Sequence, residues 1–112
     1  MNWIEITSEE QLERIKEESK KQPVVIFKHS TRCSISSMAK GRLDRETPLE
    51  GYPFYYLDLL KYRPISNKIA EDFHVFHQSP QVLVIRNGEC IFEESHNGIN
   101  MEEINDQLTS GN

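Results

Sequence analysis

The 112-residue sequence predicts an α/β fold, a mixed central sheet with helices on both faces. Three observations carry that expectation. Apolar runs alternate with segments of helical period in the order β-α-β-α-β-α-β-β-α. Residues 24–27 (VVIF) and 82–85 (VLVI) are continuously apolar, as strands covered on both faces are. Asn87-Gly88 separates the last two strand-like runs and is the strongest short hairpin signal available. Strands alternating with helices pair in parallel, and the terminal hairpin adds antiparallel pairing.

Taken in order, Ile4 and Ile6 alternate with polar residues and open the chain as a short strand. Thr7 and Glu10 form a capping-box pattern ahead of a helix with Leu12 and Ile15 on its apolar stripe, ending near Gln22 before Pro23. The strand at 24–27 leads into "KHSTRCSISSMAK", where Ile35, Met38, Ala39 and Leu43 recur at helical spacing. Gly41 weakens that helix, and the Pro48/Gly51 region ends it. The aromatic-rich run 52–59 is a second central strand. Pro64 suits a first helical turn, with Ile65, Ile69 and Phe73 as the buried face. After the hairpin, Asn100 and Glu103 repeat the capping pattern, with Ile104 and Leu108 facing inward. Asp58 and Arg63-Pro64 are expected to fix a loop through a cap or an ion pair. The acidic residues Glu9, Glu10, Glu13, Glu17 and Glu18 read as a solvated helix face.

Composition bounds the function. The length fits a single domain over residues 1–112, with 37% hydrophobic and 28% charged residues. A net charge of −5 argues against a nucleic-acid partner, which needs clustered Lys and Arg. No apolar run reaches the roughly 20 residues of a membrane helix. The acidic N-terminal stretch lacks the basic-then-apolar layout of a secretory signal. The two cysteines then suit a reducing cytoplasm and free thiols. No Cys/His spacing resembles a zinc motif, so no metal is expected.

The chemistry converges on Cys33, which falls between a strand and a helix N-terminus. Unpaired N–H groups and the positive end of the helix dipole favour an anion there, and Lys28, His29 and Arg32 are expected to add positive character. Ser36 is expected to donate its hydroxyl toward the sulfur. Together these predict a depressed thiol pKa with the helix terminus as the main cause. Cys90 begins the second hairpin arm, away from this site. It reads as a buried strand cysteine, with a resolving thiol as the alternative.

The element order is that of thioredoxin. The stretches "TRCSIS", "YYLDLLKYRPISNKIAEDF", "HQSPQVLVI" and "SHNGI" together resemble the YtxJ family of thioredoxin-like proteins, the monothiol bacilliredoxins, over about residues 24–104. The family pattern usually has proline after the cysteine; here Ser34 adds a backbone N–H. A thioredoxin places a second cysteine where Ser36 stands, and a buried acid where Phe27 stands. The resemblance implies a monothiol thiol-disulfide oxidoreductase that removes bacillithiol, a small thiol built from cysteine, glucosamine and malate, from protein mixed disulfides. Cys33 would attack and retain the small thiol until an external thiol regenerates it. It implies S-bacillithiolated proteins as partners, bacillithiol as co-substrate and no bound cofactor. It also implies that the Ser79-Pro80 bond is cis and faces the thiol, with Ser79 offering its backbone to an extended substrate. Two readings stand for His96: a contact to the thiolate or to the malate, titrating near neutrality, or a half-buried histidine bonded to backbone. Cys33 and Ser36 are therefore the candidate catalytic residues; Arg32, Ser79, Pro80 and His96 are the candidate substrate contacts. The alternatives are a sensor or binding module modified at Cys33 without turnover, and a thioltransferase for another small thiol.

Overall fold

The computed structural model describes residues 1–110. Five strands and four helices follow in the expected order: β1 (Ile4–Glu5), α1 (Glu9–Glu18), β2 (Val24–His29), α2 (Ser34–Arg45), β3 (Phe54–Asp58), α3 (Arg63–Asp72), β4 (Gln81–Arg86), β5 (Glu89–Ser95) and α4 (Met101–Thr109). A 3₁₀ turn, His96–Gly98, sits between β5 and α4. The sheet order is β1-β3-β2-β4-β5. β1, β3 and β2 run parallel, whereas β4 and β5 add antiparallel pairs.

Strand alternation divides the core in two. Val24 and Ile26 of β2 point to one face with Leu12 and Ile15 of α1 and Ile65, Ile69 and Phe73 of α3. Val25 and Phe27 point to the other with Ala39 and Leu43 of α2 and Met101, Ile104 and Leu108 of α4. Every residue of β2 is buried, which is why its sequence shows no polar alternation.

Local chemistry explains the boundaries. α1 is capped by Ser8, whose side chain accepts from the Gln11 N–H, while the Gln11 side-chain oxygen Oε1 accepts from the Thr7 N–H. The cap therefore lies one residue later than the Thr7/Glu10 spacing predicts, because Ser8 with Gln11 supplies the same reciprocal pairing. α1 stops at Glu18 rather than near Gln22: Ser19 turns its hydroxyl back to the Lys16 carbonyl, and its own carbonyl accepts from Asn87. The hairpin is as expected, with Asn87 at φ 53° and Gly88 at φ 75°, where a glycine costs least. Asn100 caps α4 by accepting from the Glu103 N–H. Asp58 settles its loop as a cap, accepting from the N–H groups of Leu60 and Lys61.

The acidic face of α1 is only partly solvated. Glu13 pairs with Lys16, and Lys16 reaches across to Asp72 of α3, which also pairs with Lys68 at 3.1 Å. Glu18 accepts from the Tyr55 hydroxyl.

Candidate active site

Cys33 is the N-cap residue of α2, in extended conformation, and its side chain makes no cap hydrogen bond. A tight turn delivers it: the Cys33 N–H donates to the Ser30 carbonyl at 3.2 Å, and its own carbonyl accepts from Ser37 at 3.0 Å. The first-turn N–H groups, including that of Ser34, have no helical acceptors and lie around the residue that carries the sulfur. Cys33 is partly exposed and its thiol is free.

Sheet register brings the proline loop to the same end. Lys28 of β2 pairs with Gln81 of β4, so Ser79 and Pro80 lie level with His29 and Ser30, where the chain leaves for Cys33. The Ser79-Pro80 bond is cis, Pro80 is buried, and the Ser79 hydroxyl is buried without a hydrogen-bond partner. The 3₁₀ turn closes a third side. The His96 N–H donates to the Pro80 carbonyl at 3.1 Å, and the Arg42 guanidinium on α2 donates to the carbonyls of His96 and Ile99, both at 3.2 Å. His96 itself is exposed, at φ 56°. Arg32 is exposed and, with Thr31, Asp58, Leu60 and Lys61, borders a surface cleft of about 460 Å³. Cys33, Pro80 and His96 are thus gathered at one end of the sheet, and Arg32 flanks them.

Three expectations change. Lys28 contributes nothing to the cysteine: it points to the α3 face, fully buried, with its ammonium donating to the Ser66 carbonyl at 3.3 Å. Burial, reinforced by Arg63, pushes its pKa down to about 8. Ile35 and Met38 are not core residues of α2; they are 44% and 62% exposed, and the buried stripe is Ser36, Ala39 and Leu43. The Ser36 hydroxyl is not free to serve the sulfur alone. Its oxygen accepts from the Ser30 N–H at 2.9 Å and lies 2.6 Å from His29 Nδ1.

His29 is not the positive charge that its place beside Cys33 suggests; its ring nitrogen Nδ1 is held against Ser36. It is buried, packed between the rings of Phe27 and Tyr56, and its pKa is lowered, first by burial and then by Lys40. The signal was present in the strand period: His29 shares a face with Phe27, and that face is the one α2 covers.

Cys90 lies at the far end of the sheet, paired with Ile85. Its thiol donates to the Phe92 carbonyl at 3.2 Å, and burial pushes its pKa up to about 11. Among the described residues, no group of three or more His, Cys, Asp or Glu could hold a metal ion, and no helix is long and apolar enough to cross a membrane.

Comparison with known proteins agrees with this architecture. An oxidoreductase candidate with a thioredoxin fold superposes with a TM-score of 0.80 at 32% identity, covering 92% of this chain and 90% of that one. The thioredoxin of Malassezia sympodialis gives 0.72 at 19% identity over 96% of this chain and 89% of its own. That of Schistosoma mansoni gives 0.65 at 20% over 96% and 93%. The family described as monothiol bacilliredoxin BrxC matches residues 4–104. With that match over nearly the whole chain, and a lone thiol at the strand-to-helix junction of a thioredoxin fold, the protein belongs to the monothiol bacilliredoxin family and is a thiol-disulfide oxidoreductase.

Proposed function

We propose that this oxidoreductase removes bacillithiol from protein mixed disulfides in the cytoplasm, with Cys33 as its nucleophile. The Cys33 thiolate attacks the bacillithiol sulfur of the mixed disulfide. A Cys33–bacillithiol disulfide forms, and the protein thiolate leaves and takes up a proton. An external thiolate then attacks the bacillithiol sulfur of this adduct, forming a disulfide between itself and bacillithiol, and Cys33 leaves as the thiolate. The observation that carries the reading is the occupant of the resolving position. Ser36 is buried and hydrogen-bonded, and it has no thiol with which to close an internal disulfide. Cys90 cannot take that place, because it sits at the opposite end of the sheet with its thiol protonated at neutral pH. Bacillithiol is the small thiol that the family match favours, and it and the client chain would meet the exposed Arg32 and His96 and the backbone of Ser79 at the loop that buried Pro80 shapes.

Reduced protein incubated separately with one client carrying bacillithiol, glutathione or coenzyme A, and followed by intact mass, tests the assignment. The expected outcome is rapid transfer of bacillithiol alone, with the adduct on Cys33. Equal rates for the three small thiols would sink it.

A further inference from the structure

The Ser36 oxygen has two lone pairs and one hydrogen, and the structure assigns two of these three valences. One lone pair takes the Ser30 N–H at 2.9 Å. The contact with His29 Nδ1, at 2.6 Å, uses either the hydroxyl hydrogen or the second lone pair, according to where the imidazole proton sits. The third valence is left for a neighbour on the same side of α2. Cys33 lies one helical turn back, and rotation of its side chain, which makes no cap bond, can bring the sulfur to that position.

We propose that His29 is a positioning residue that exchanges a proton with Cys33 through the Ser36 hydroxyl. With His29 neutral, its Nδ1 accepts the Ser36 hydrogen, and the free lone pair of Ser36 can accept from the Cys33 thiol. Transfer moves the thiol proton to Ser36 and the original Ser36 proton to His29. The products are a thiolate and an imidazolium, with Ser36 now donating to the sulfur and accepting from Nδ1. Every valence of the oxygen is filled in both states, so the relay needs no rearrangement beyond rotation of the Cys33 side chain. The surroundings suit a group that idles uncharged and accepts a proton transiently. Burial and Lys40 disfavour the cation, while Asp58 of β3 and Asp44 of α2 favour it. Phe27 of β2 stacks on the ring and Tyr56 of β3 packs against it at a tilt. Thioredoxins use a buried acid beneath the site; here the equivalent place is Phe27, and a base occupies the next position on the same strand face.

This inference rests on Cys33 being the nucleophile but not on which small thiol it carries. Its test is the pH dependence of Cys33 alkylation by iodoacetamide, read by intact mass between pH 5 and 9. Wild type is expected to show two coupled ionisations. His29→Asn keeps a hydrogen-bonding group at the Nδ1 position but cannot titrate, so its profile should collapse to a single ionisation. His29→Phe keeps the ring stack and removes the bond; Ser36→Ala removes the relay atom. Each should slow alkylation at pH 7 about tenfold, the scale of one hydrogen bond to a charged group. The double variant should be no slower than either single one. Multiplying losses in the double variant, or a wild-type profile superimposable on that of His29→Asn, would overturn the relay. Circular dichroism confirms folding, and His29→Asn with Ser36→Ala suffices if His29→Phe unfolds. Iodoacetamide carries no bacillithiol, so a normal alkylation profile without bacillithiol transfer would overturn only the substrate assignment.

Discussion

Lys28 is a buried ammonium facing one backbone carbonyl, with Arg63 as its nearest charge influence, and it is costly at neutral pH. Its native pKa of about 8 lies below the 10.5 of the unfolded chain, so between those values the unfolded state binds more protons. Stability therefore rises as pH increases through that window, by about 3 kcal/mol from this residue alone. Lys28→Met keeps the volume and removes the charge. Ser66 loses only a second donor, since its carbonyl lies inside α3. The variant should be more stable than wild type at pH 7, by about 1–3 kcal/mol, and should lose the advantage by pH 10.5. Urea unfolding of both proteins at the two pH values checks this; a less stable variant at pH 7 would show that the ammonium is held favourably. Cys90 gives a second residue-scale prediction. With its thiol pushed up to about 11, it should resist iodoacetamide at pH 8 in the native protein and react only in denaturant, while Cys33 reacts under both conditions. Peptide mapping after a timed quench reads both sites.

At the scale of elements, α2 shows what periodicity can and cannot reveal. Hydrophobicity groups Ile35 and Met38 with Ala39 and Leu43 as the inward face of this helix. The structure keeps Ala39 and Leu43 in the core as expected but sets Ser36 beside them in place of Ile35 and Met38, because Ser36 enters the core already bonded to His29 and Ser30. A serine in a core position is legible only once its partners are known, and those partners lie six and seven residues back, in the loop and at the end of β2. The same locality explains the successes. Hairpin turn, α4 cap, buried β2 stripe and Cys33 at the helix start are all encoded within a few residues of each other. The hairpin contains a feature that is not. A register shift at Val84/Ile85 places Phe92 opposite Val84 and Cys90 opposite Ile85. The extra residue turns Cys90 to the α1/α3 face and Phe92 to the α2/α4 face, although their spacing alone would put both on one side. The stripe left outside on α2 has its own consequence. Ile35 and Met38 are exposed on the helix that Cys33 caps, and under the proposed function they offer apolar surface to a client chain. Met38→Glu with Ile35→Glu should leave the melting temperature within a few degrees of wild type, since neither side chain is in the core. The pair should slow removal of the small thiol from a protein client by about tenfold, while reaction with a free small-molecule disulfide stays unchanged. Equal slowing of both reactions would mean the charges act on Cys33 rather than on docking.

For the whole molecule, the decisive fact is the placement of the two sulfurs. The sheet separates them, with Cys33 beyond the end of β2 nearest Gln81 and Cys90 beside Ile85 toward the opposite end. No thiol within the fold lies where it could resolve an adduct on Cys33, so the proposed cycle is completed by a thiol from outside. Ser36→Cys should convert this fold to internal resolution. The new thiol would lie one helical turn from Cys33, within reach of a disulfide without backbone movement. It would also replace the oxygen that lies 2.6 Å from His29 Nδ1, so a base stands ready to ionise it even though Phe27 fills the place of the usual acid. After one reaction with a mixed disulfide, the variant should release the small thiol and weigh two hydrogens less than its reduced form, whereas wild type keeps the adduct. Proximity drives the difference, since effective concentrations in oriented systems reach the order of 10⁵ M against millimolar free thiol. Adding His29→Asn to Ser36→Cys should slow the release while preserving the disulfide product, which separates proximity from proton transfer. A Cys33–Cys90 disulfide in wild type would contradict the arrangement of the sheet and the one-thiol cycle together.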